Sequence, residues 1–367
     1  MGGTTAALAV TGVPALAATT SPVLAWNQTL LRIVRTPGAH PATVHPTRSF
    51  AMMHSAMRNA VSHTPSAWAA ASQAAHDVLV GLFPTMTTSF DAQLAAELAT
   101  VHNPAQGVLA GRWAARQVLH TRANDGSAAT PPPLQPGTRP GEYRPTPPAF
   151  APAVFTHWPA VRPFVLARAD MFRPDPYPPL ASPRYRAALA EVASLGENTS
   201  TTRTADQTVQ ARFWAAPIWN YWNEIAQAVL AHSSVRTAAN VFARLNLAFA
   251  DAVIAFYDAK YHYRIWRPIS AIPDWTSFAT TPPDPSYPGA HSVISQAAAT
   301  ILRQTVGQRQ VLTVTSEALP GTVRHFTTFQ QAAEEAGLSR IYGGIHTRLD
   351  HTAGQQLGLD VARVALR

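Results

Sequence analysis

The stretch Lys260-Tyr-His-Tyr-Arg-Ile-Trp-Arg267-Pro268 decides the fold prediction, together with Ser286-Tyr-Pro288-Gly289-Ala290-His291-Ser292 and Ser339-Arg340-Ile-Tyr-Gly343-Gly344-Ile-His346. Lys260 is the single lysine of the chain, so composition gives no reason to find a lysine here. Arg267 follows it by two helical turns, so one helix face would carry both side chains. Pro268 disfavours helical geometry at Arg267, which places the pair at a helix end. No acid separates these two cations, and we expect them to bind an anion.

The other two stretches add groups that suit the same anion. Arg340 and His346 flank Gly343-Gly344, where the backbone can turn tightly and bring its N–H groups against a ligand. His291 opens a predicted helix after Pro288-Gly289-Ala290, so unpaired N–H groups there would face the anion. Buried cations are costly without a counter-charge, and the planar guanidinium binds two oxygens at once. We therefore predict a tetrahedral or bipyramidal oxyanion here. A separate buried salt bridge or helix cap would explain any one of these residues. It does not explain all of them together at these spacings.

Composition limits the class of protein. The 367 residues are 47% hydrophobic and 13% charged, which indicates a globular chain of one to three domains. The net charge of +8 is spread along the chain without a basic run, so we predict no nucleic-acid partner. The absence of cysteine excludes thiolate catalysis, disulfides and zinc–thiolate sites. No run of about 18 uninterrupted apolar residues predicts a membrane span.

Residues 1–20 are set apart from the rest. Residues 5–18 resemble the apolar core of a signal peptide, and Ala15-Leu-Ala17 suits a cleavage site, although the basic segment that should precede them is missing. A signal-peptide remnant and a disordered tail are both open interpretations. The first predicts a secreted or periplasmic protein, and the second a cytoplasmic one.

Residues 21–367 are predicted to form a single all-α domain. Apolar residues recur at helical spacing at about 23–34, 45–62, 66–82, 88–101, 104–121, 183–194, 203–216, 219–232, 236–262, 291–306, 325–337 and 350–365. Prolines exclude long helices from about 124 to 182, which we interpret as a belt over the helical body, with an interdomain linker as the alternative. Residues 311–315 could pair briefly as a strand.

The three stretches resemble the signature of the vanadium-dependent haloperoxidase and phosphatidic-acid phosphatase superfamily. That signature reads Lys-x6-Arg-Pro, then Pro-Ser-Gly-His, then Ser-Arg-x5-His. Three flanking segments look like bacterial vanadium haloperoxidases in particular: Glu335 to His346, Trp266 to Ala271 and Gly196 to Arg203. The resemblance covers at least residues 182–367, and it implies helical bundles of the haloperoxidase and acid phosphatase type.

The resemblance also implies a role for each matching residue. Lys260, Arg267 and Arg340 would hold the equatorial oxygens of vanadate or phosphate. His346 would be the covalent partner, either the vanadium ligand of a haloperoxidase or the phosphohistidine nucleophile of a phosphatase. His291 would be the acid–base residue that faces the apical oxygen or the leaving group.

The sequence departs from the family pattern in two places, at Gly289-Ala290 and at Asp284. Gly289 stands where the family has serine and Ala290 where it has glycine, so a hydroxyl contact to the oxyanion is missing although backbone N–H groups of this loop remain. Asp284 stands five positions before Gly289, where haloperoxidases commonly place an aromatic residue or histidine near the halide. A carboxylate on this halide or substrate side would repel a halide.

Three functions follow from the resemblance. The first is a vanadate-dependent peroxidase that uses hydrogen peroxide to oxidise a halide or a small organic substrate. The alternatives are a soluble phosphomonoesterase with a phosphohistidine intermediate, which needs no vanadate, and a non-catalytic oxyanion-binding protein.

Overall fold

The computed structural model describes residues 21–367, apart from the side chains of residues 309 and 310. These residues are mainly helical, which confirms the all-α prediction, while the predicted signal-peptide or tail segment at residues 1–20 lies outside them. The helices are α1 (Pro22–Arg35), α2 (Pro46–Ser62), α3 (Ala67–Leu82), α4 (Thr87–Leu98), α5 (Ala105–Arg122), α6 (Pro183–Leu195), α7 (Ala205–Phe213), α8 (Ile218–Val229), α9 (Val235–Tyr263), α10 (Pro268–Ala271), α11 (Ala290–Val306), α12 (Phe329–Tyr342) and α13 (Arg348–Ala365). Two strands, β1 (Arg309–Thr315) and β2 (Val323–Thr328), pair antiparallel.

Helix α9 is the central element. It packs against α2 from the first half of the chain and against α11 and α13 from the last third. Its aromatic residues Phe242, Phe249 and Phe256 are buried in a hydrophobic core that extends from α1 to α13. The helix is long and apolar enough to cross a membrane, but 89% of its most apolar window is buried inside the protein, as in a core helix.

The end of α9 corrects one prediction. Arg264 adopts a left-handed conformation with φ of 52° and ends the helix after Tyr263. Arg267 lies beyond that end in extended backbone, with φ of −85° and ψ of 156°. The prediction that Lys260 and Arg267 share one helix face is therefore wrong. Pro268 begins the short helix α10, and its restriction on the preceding residue explains the extended geometry of Arg267.

The short sheet corrects a second prediction. A helix was predicted over 325–337, but Val323–Thr328 form β2, and α12 starts only at Phe329. Thr313 of β1 lies opposite His325 of β2, so the predicted pairing at 311–315 is confirmed although its partner was not foreseen. Three of the six residues of β2 are threonine or valine, whose branched side chains favour a strand over a helix.

The Pro-rich segment at 124–182 lies against α9. Within it the structure describes one short 3₁₀ turn, Trp158–Ala160. The carboxylate of Asp251, in the middle of α9, accepts hydrogen bonds from three consecutive backbone N–H groups: those of Phe164 at 2.6 Å, Val165 at 2.7 Å and Leu166 at 2.7 Å. Asp251 is fully buried, so one buried carboxylate fixes the middle of this belt to the central helix.

Helices α11 and α13 approach each other closely because α13 presents glycines to α11. A Cβ atom added to Gly358 would lie 2.1 Å from the carbonyl oxygen of Val293, and one added to Gly354 would lie 2.7 Å from that of Gly289. No side chain fits at such distances. The close packing brings the start of α11, with His291, beside the start of α13, which follows His346.

Asp251→Asn should lower the free energy of unfolding by about 2–3 kcal/mol, because the amide cannot accept three N–H donors and loses charge-assisted hydrogen bonds. Urea denaturation would measure the change. The control is Asp258→Asn on the same helix. Asp258 pairs with Arg173, whose side chain is 27% exposed, and this variant should cost under about 1 kcal/mol. Equal losses in the two variants would contradict the anchoring role of Asp251.

Candidate functional site

Lys260 occupies the last turn of α9 and is fully buried. Its ammonium group donates to the carbonyl oxygens of Pro285 and, at 3.2 Å, of Ser286, and its nitrogen lies 3.3 Å from Oδ2 of Asp284. These three acceptors match the three N–H donors of the group. Burial lowers the pKa of Lys260 to about 8, although the negative charge of Asp284 opposes this shift. The side chain is thus held entirely by the loop that precedes α11.

Arg267, which lies beyond the end of α9, contacts the same loop. Its Nε donates to the carbonyl oxygen of Asp284 at 2.8 Å, and its Nη2 forms an ion pair with Oδ1 of that residue. Its Nη1 donates to the carbonyl oxygen of Ile345 at 2.9 Å and lies 3.2 Å from Nε2 of His346. Arg267 therefore links the loop before α11 to the turn between α12 and α13.

Asp284 occupies a different place from the one expected. We predicted a carboxylate that faces a halide or substrate, and no acid between Lys260 and Arg267. Instead the carboxylate of Asp284 bridges these two cations, and the residue is 6% exposed. Burial alone would raise the pKa of Asp284, but the charges of Lys260 and Arg267 bring it below its usual value. The sequence concealed this contact because Asp284 lies far from both cations along the chain.

Arg340 lies near the end of α12 and is 5% exposed. Its Nη1 donates to the carbonyl oxygen of Trp214 at 3.3 Å, whereas its buried Nε has no hydrogen-bond partner in the part of the chain that the structure describes. No carboxylate among residues 21–367 pairs with it. Burial, together with the positive charge of Arg267, lowers the pKa of Arg340 to about 10. A buried guanidinium with an unused donor and no acid is the strongest sign of an anionic ligand here.

His346 follows the turn predicted at Gly343-Gly344, where Gly344 has a φ of 78°. Nδ1 of His346 lies 3.3 Å from the hydroxyl of Ser286 and 3.5 Å from Oδ2 of Asp350, to which that hydroxyl donates at 2.9 Å. Nδ1 therefore carries the proton, and Nε2 keeps the lone pair on the side of Arg267. Burial, with the charge of Arg267, lowers the pKa of His346 to about 3, so the ring is neutral.

Asp350 and Ser286 orient His346, and we did not predict either residue. Asp350 is also part of a capping box at the start of α13. Its carboxylate accepts from the backbone N–H of Thr347 at 2.6 Å, and the hydroxyl of Thr347 accepts from the backbone N–H of Asp350. The pattern Thr347-x-x-Asp350, which begins directly after His346, was the signal that could have identified this carboxylate. Burial would raise the pKa of Asp350, but its interaction with His346 lowers it.

His291 lies in the first turn of α11, as predicted. Its Nε2 lies 2.9 Å from the carbonyl oxygen of Trp214, the same oxygen that Arg340 contacts. A neutral ring must donate from Nε2 to this carbonyl, so the other nitrogen keeps its lone pair. Burial, followed by the charge of Arg340, holds the pKa of His291 well below its usual value. His291 is thus a neutral base beside Arg340, the cation that has no carboxylate partner among the described residues.

The backbone at the start of α11 is only partly available. Gly289 donates its N–H to the carbonyl oxygen of Asp350 at 2.9 Å, so this amide is already used. The N–H groups of Ala290 and His291 have no acceptor among the described residues. Of the loop positions predicted to face the oxyanion, Ala290 therefore supplies a free donor, whereas Gly289 supplies none in this arrangement.

The segment from Gly196 to Arg203 supports the turn that carries His346. Arg203 donates from Nη1 to the carbonyl oxygens of Leu195 and Glu197, each at 2.7 Å, and its guanidinium lies 4.1 Å from the ring centre of Phe278. Phe278 in turn donates its backbone N–H to the carbonyl oxygen of Gly196 at 2.9 Å. Arg203 also donates from Nη1 to the carbonyl oxygen of Tyr342 at 3.4 Å, and this contact holds the turn from outside the cluster of charges.

The residues present fit an oxyanion such as vanadate. Arg340 has an unpaired buried donor, and the free N–H groups of Ala290 and His291 lie at a helix start, where an anion is favoured. The neutral His346 offers a lone pair at Nε2 among these cations. The structure places Lys260, Arg267, His291, Arg340 and His346 in one cluster with two carboxylates, Asp284 and Asp350.

Comparisons with known proteins identify relatives of this chain. The model of the second helical-bundle domain of vanadium chloroperoxidase (VCPO) matches residues 240–277 and 273–367, which contain Lys260, Arg267, His291, Arg340 and His346. The vanadium chloroperoxidase of Curvularia inaequalis is 24% identical over 233 residues, which cover 43% of this chain and 38% of that protein. This chain thus matches about two-fifths of the length of that relative.

Solved structures extend the match to the first half of the chain. A bacterial vanadium-dependent iodoperoxidase superposes with a TM-score of 0.82 and 25% identity over 94% of each chain. An apo bacterial vanadium-dependent chloroperoxidase superposes with a TM-score of 0.72, covering 90% of this chain and 94% of that one, and its 14% identity supports the fold alone. The family model, the curated relative and the superposition on the iodoperoxidase agree with the three sequence stretches, and together they support the vanadium haloperoxidase superfamily as the family that this chain resembles.

Proposed function

We propose that this chain is a vanadate-dependent haloperoxidase that uses hydrogen peroxide to oxidise a halide or a small organic substrate. The observation that carries the proposal is the buried pair of Arg340 and His346. Arg340 has a donor without a partner among the described residues, and His346 is neutral with its Nε2 lone pair toward the cations. Support comes from the relatives above: the curated relative is named a chloroperoxidase, and the superposed structure at 25% identity is named an iodoperoxidase.

The side chains around the site would divide the work of holding vanadate. Nε2 of His346 would be the ligand atom, and Asp350 with Ser286 would keep the proton on Nδ1. Arg340 would donate its unused N–H to an oxygen, Arg267 and Lys260 would contribute positive charge beside it, and the free N–H of Ala290 would add a further donor. When bound, vanadate acts as a Lewis acid that activates hydrogen peroxide for oxygen transfer.

His291 would accept a proton from the peroxide and later return it. Its ring is neutral, one nitrogen is occupied by the carbonyl oxygen of Trp214, and the other nitrogen can accept a proton. The adjacent positive charge of Arg340 favours return of that proton once it has been accepted. This exchange between a neutral and a protonated ring is what a general acid–base residue requires.

The first test compares the two enzyme functions on one purified preparation. With orthovanadate and hydrogen peroxide, we expect iodide- or bromide-dependent halogenation of a dye, measured by absorbance. Without vanadate, we expect no hydrolysis of an aryl phosphate above background. The reverse result, hydrolysis without halogenation, would replace this proposal with the phosphomonoesterase alternative. Neither activity, combined with oxyanion binding, would favour the non-catalytic alternative.

His346→Ala should abolish peroxidase activity and weaken vanadate binding, because the ligand atom is removed. Isothermal titration calorimetry with orthovanadate measures the binding separately from turnover. His262→Ala is the matched control, since His262 is exposed on α9 two residues from Lys260. The control should keep both properties. Native-like vanadate affinity in a folded His346→Ala protein would contradict the role assigned to this histidine.

His291→Ala should lower turnover by about 100-fold or more, since a positioned acid–base group contributes at least this factor. Vanadate affinity should change much less, because Arg340, Arg267, Lys260 and His346 remain. Steady-state kinetics under saturating vanadate, with calorimetry on the same protein, would separate the two effects. Equal losses of affinity and turnover would assign His291 to binding rather than to proton transfer.

A further inference from the structure

Asp284 is an acid in the middle of a site that should bind anions. Its carboxylate contacts two of the three cations, with Oδ2 at 3.3 Å from Lys260 and Oδ1 in an ion pair with Arg267. All three residues are at most 6% exposed. A bound oxyanion would approach these same cations, so the carboxylate and the ligand would compete for them.

The donors of two cations are already largely used by the protein. The ammonium group of Lys260 has three protein acceptors, and four of the five N–H groups of Arg267 point to Asp284, Ile345 and His346. Arg340 is different, because its buried Nε is unpaired among the described residues. The site therefore contains one cation with an unpaired donor and no acidic partner among the described residues, and two cations that Asp284 has already partly neutralised.

The formal charge of the cluster follows from these contacts. Lys260, Arg267 and Arg340 contribute three positive charges, and the carboxylates of Asp284 and Asp350 contribute two negative ones. Both histidines are neutral. The neighbours His45, Tyr143, Tyr257 and Tyr261 are neutral as well, because burial lowers the pKa of His45 to about 3 and raises the pKa of each phenol. The cluster thus carries a formal charge of plus one, which one monoanion balances.

We propose that Asp284 makes the oxyanion site selective for tetrahedral monoanions over dianions. This inference rests on the proposed oxyanion-binding function and names the charge class of its ligand. A monoanion would leave the buried cluster neutral, whereas a dianion would leave one uncompensated negative charge in a medium where such charges are costly. With a neutral residue at position 284, the cluster would have a charge of plus two and would suit a dianion.

This selectivity separates vanadate from phosphate. The second proton of vanadate is held more tightly than that of phosphate, so at pH 7.5 vanadate is mainly a monoanion, whereas most phosphate is a dianion. Phosphomonoesters lose their second proton near pH 6, and they are dianions at pH 7. Asp284 therefore favours the cofactor of a peroxidase and disfavours both free phosphate and the substrate of a phosphatase.

The test measures the binding of two tetrahedral anions that stay fully ionised at pH 7.5, perrhenate as the monoanion and sulfate as the dianion. Isothermal titration calorimetry at fixed ionic strength gives both dissociation constants for the native chain, for Asp284→Asn and for Asp258→Asn. Asp258→Asn is the matched control, since it removes one carboxylate two residues from Lys260 on α9, and this carboxylate pairs with Arg173 instead of the cations of the site. A vanadate titration of each protein reports the affinity for the expected cofactor.

Coulomb energy is proportional to the charge of the ligand. The factor by which Asp284→Asn increases the affinity for sulfate should therefore be about the square of the factor for perrhenate. We expect gains of about tenfold for sulfate and about threefold for perrhenate. The control should change the ratio of the two constants by less than about twofold. An unchanged ratio in Asp284→Asn, or an equal loss for both anions, would show that Asp284 only holds its two cations in place and would overturn the proposal.

The native chain gives a second test that does not depend on folding of the variant. It should bind perrhenate more tightly than sulfate, and tighter binding of sulfate would overturn the inference. Binding of neither anion nor vanadate to any of the proteins would remove the oxyanion site itself and with it the proposed function. Oxyanion binding without a change in charge preference would leave the proposed function intact and reject only the role of Asp284.

Discussion

The structure depends on the burial of three cations, Lys260, Arg267 and Arg340, at the junction of α9, the loop before α11 and the turn before α13. A buried charge without compensation costs several kcal/mol, so this junction forms only when its acceptors are in place. Asp284 and the carbonyl oxygens beside it supply most of them. The loop before α11 is therefore fixed by the cations it contacts, and the site is assembled together with the fold.

The same helix connects this junction to the covering segment. Asp251 lies nine residues before Lys260 on α9, about 14 Å along the helix axis, and holds the belt by three backbone N–H groups. The far end of the belt reaches the site, because Tyr177 lies 3.3 Å from the hydroxyl of Thr347, directly after His346. Helix α9 thus carries Lys260 of the charged cluster and, through Asp251, anchors the belt whose far end contacts the start of α13.

The sequence predicted the helices and the members of the site because both depend on local patterns. Apolar spacing located the long helices, and the three stretches located the cations and histidines. Contacts between distant positions were hidden. Asp284 was taken for an open carboxylate because no pattern pairs it with Lys260 and Arg267, and Arg267 was placed on the helix because nothing marked Arg264 as a left-handed end. Only the capping box that contains Asp350 could have been recognised beforehand.

The two departures from the family pattern act in the same direction. Gly289 removes a hydroxyl donor, and its own N–H is used by the carbonyl oxygen of Asp350, so the loop offers fewer donors to a ligand. Asp284 removes positive charge from the same site. Both changes reduce the attraction of highly charged anions, and neither disturbs the contacts that hold His346. Ser286 keeps a hydroxyl within the site, but this hydroxyl is hydrogen-bonded to Asp350 and to the imidazole of His346. Electrostatic attraction is thus weakened, while the atom that would bond to the ligand stays positioned.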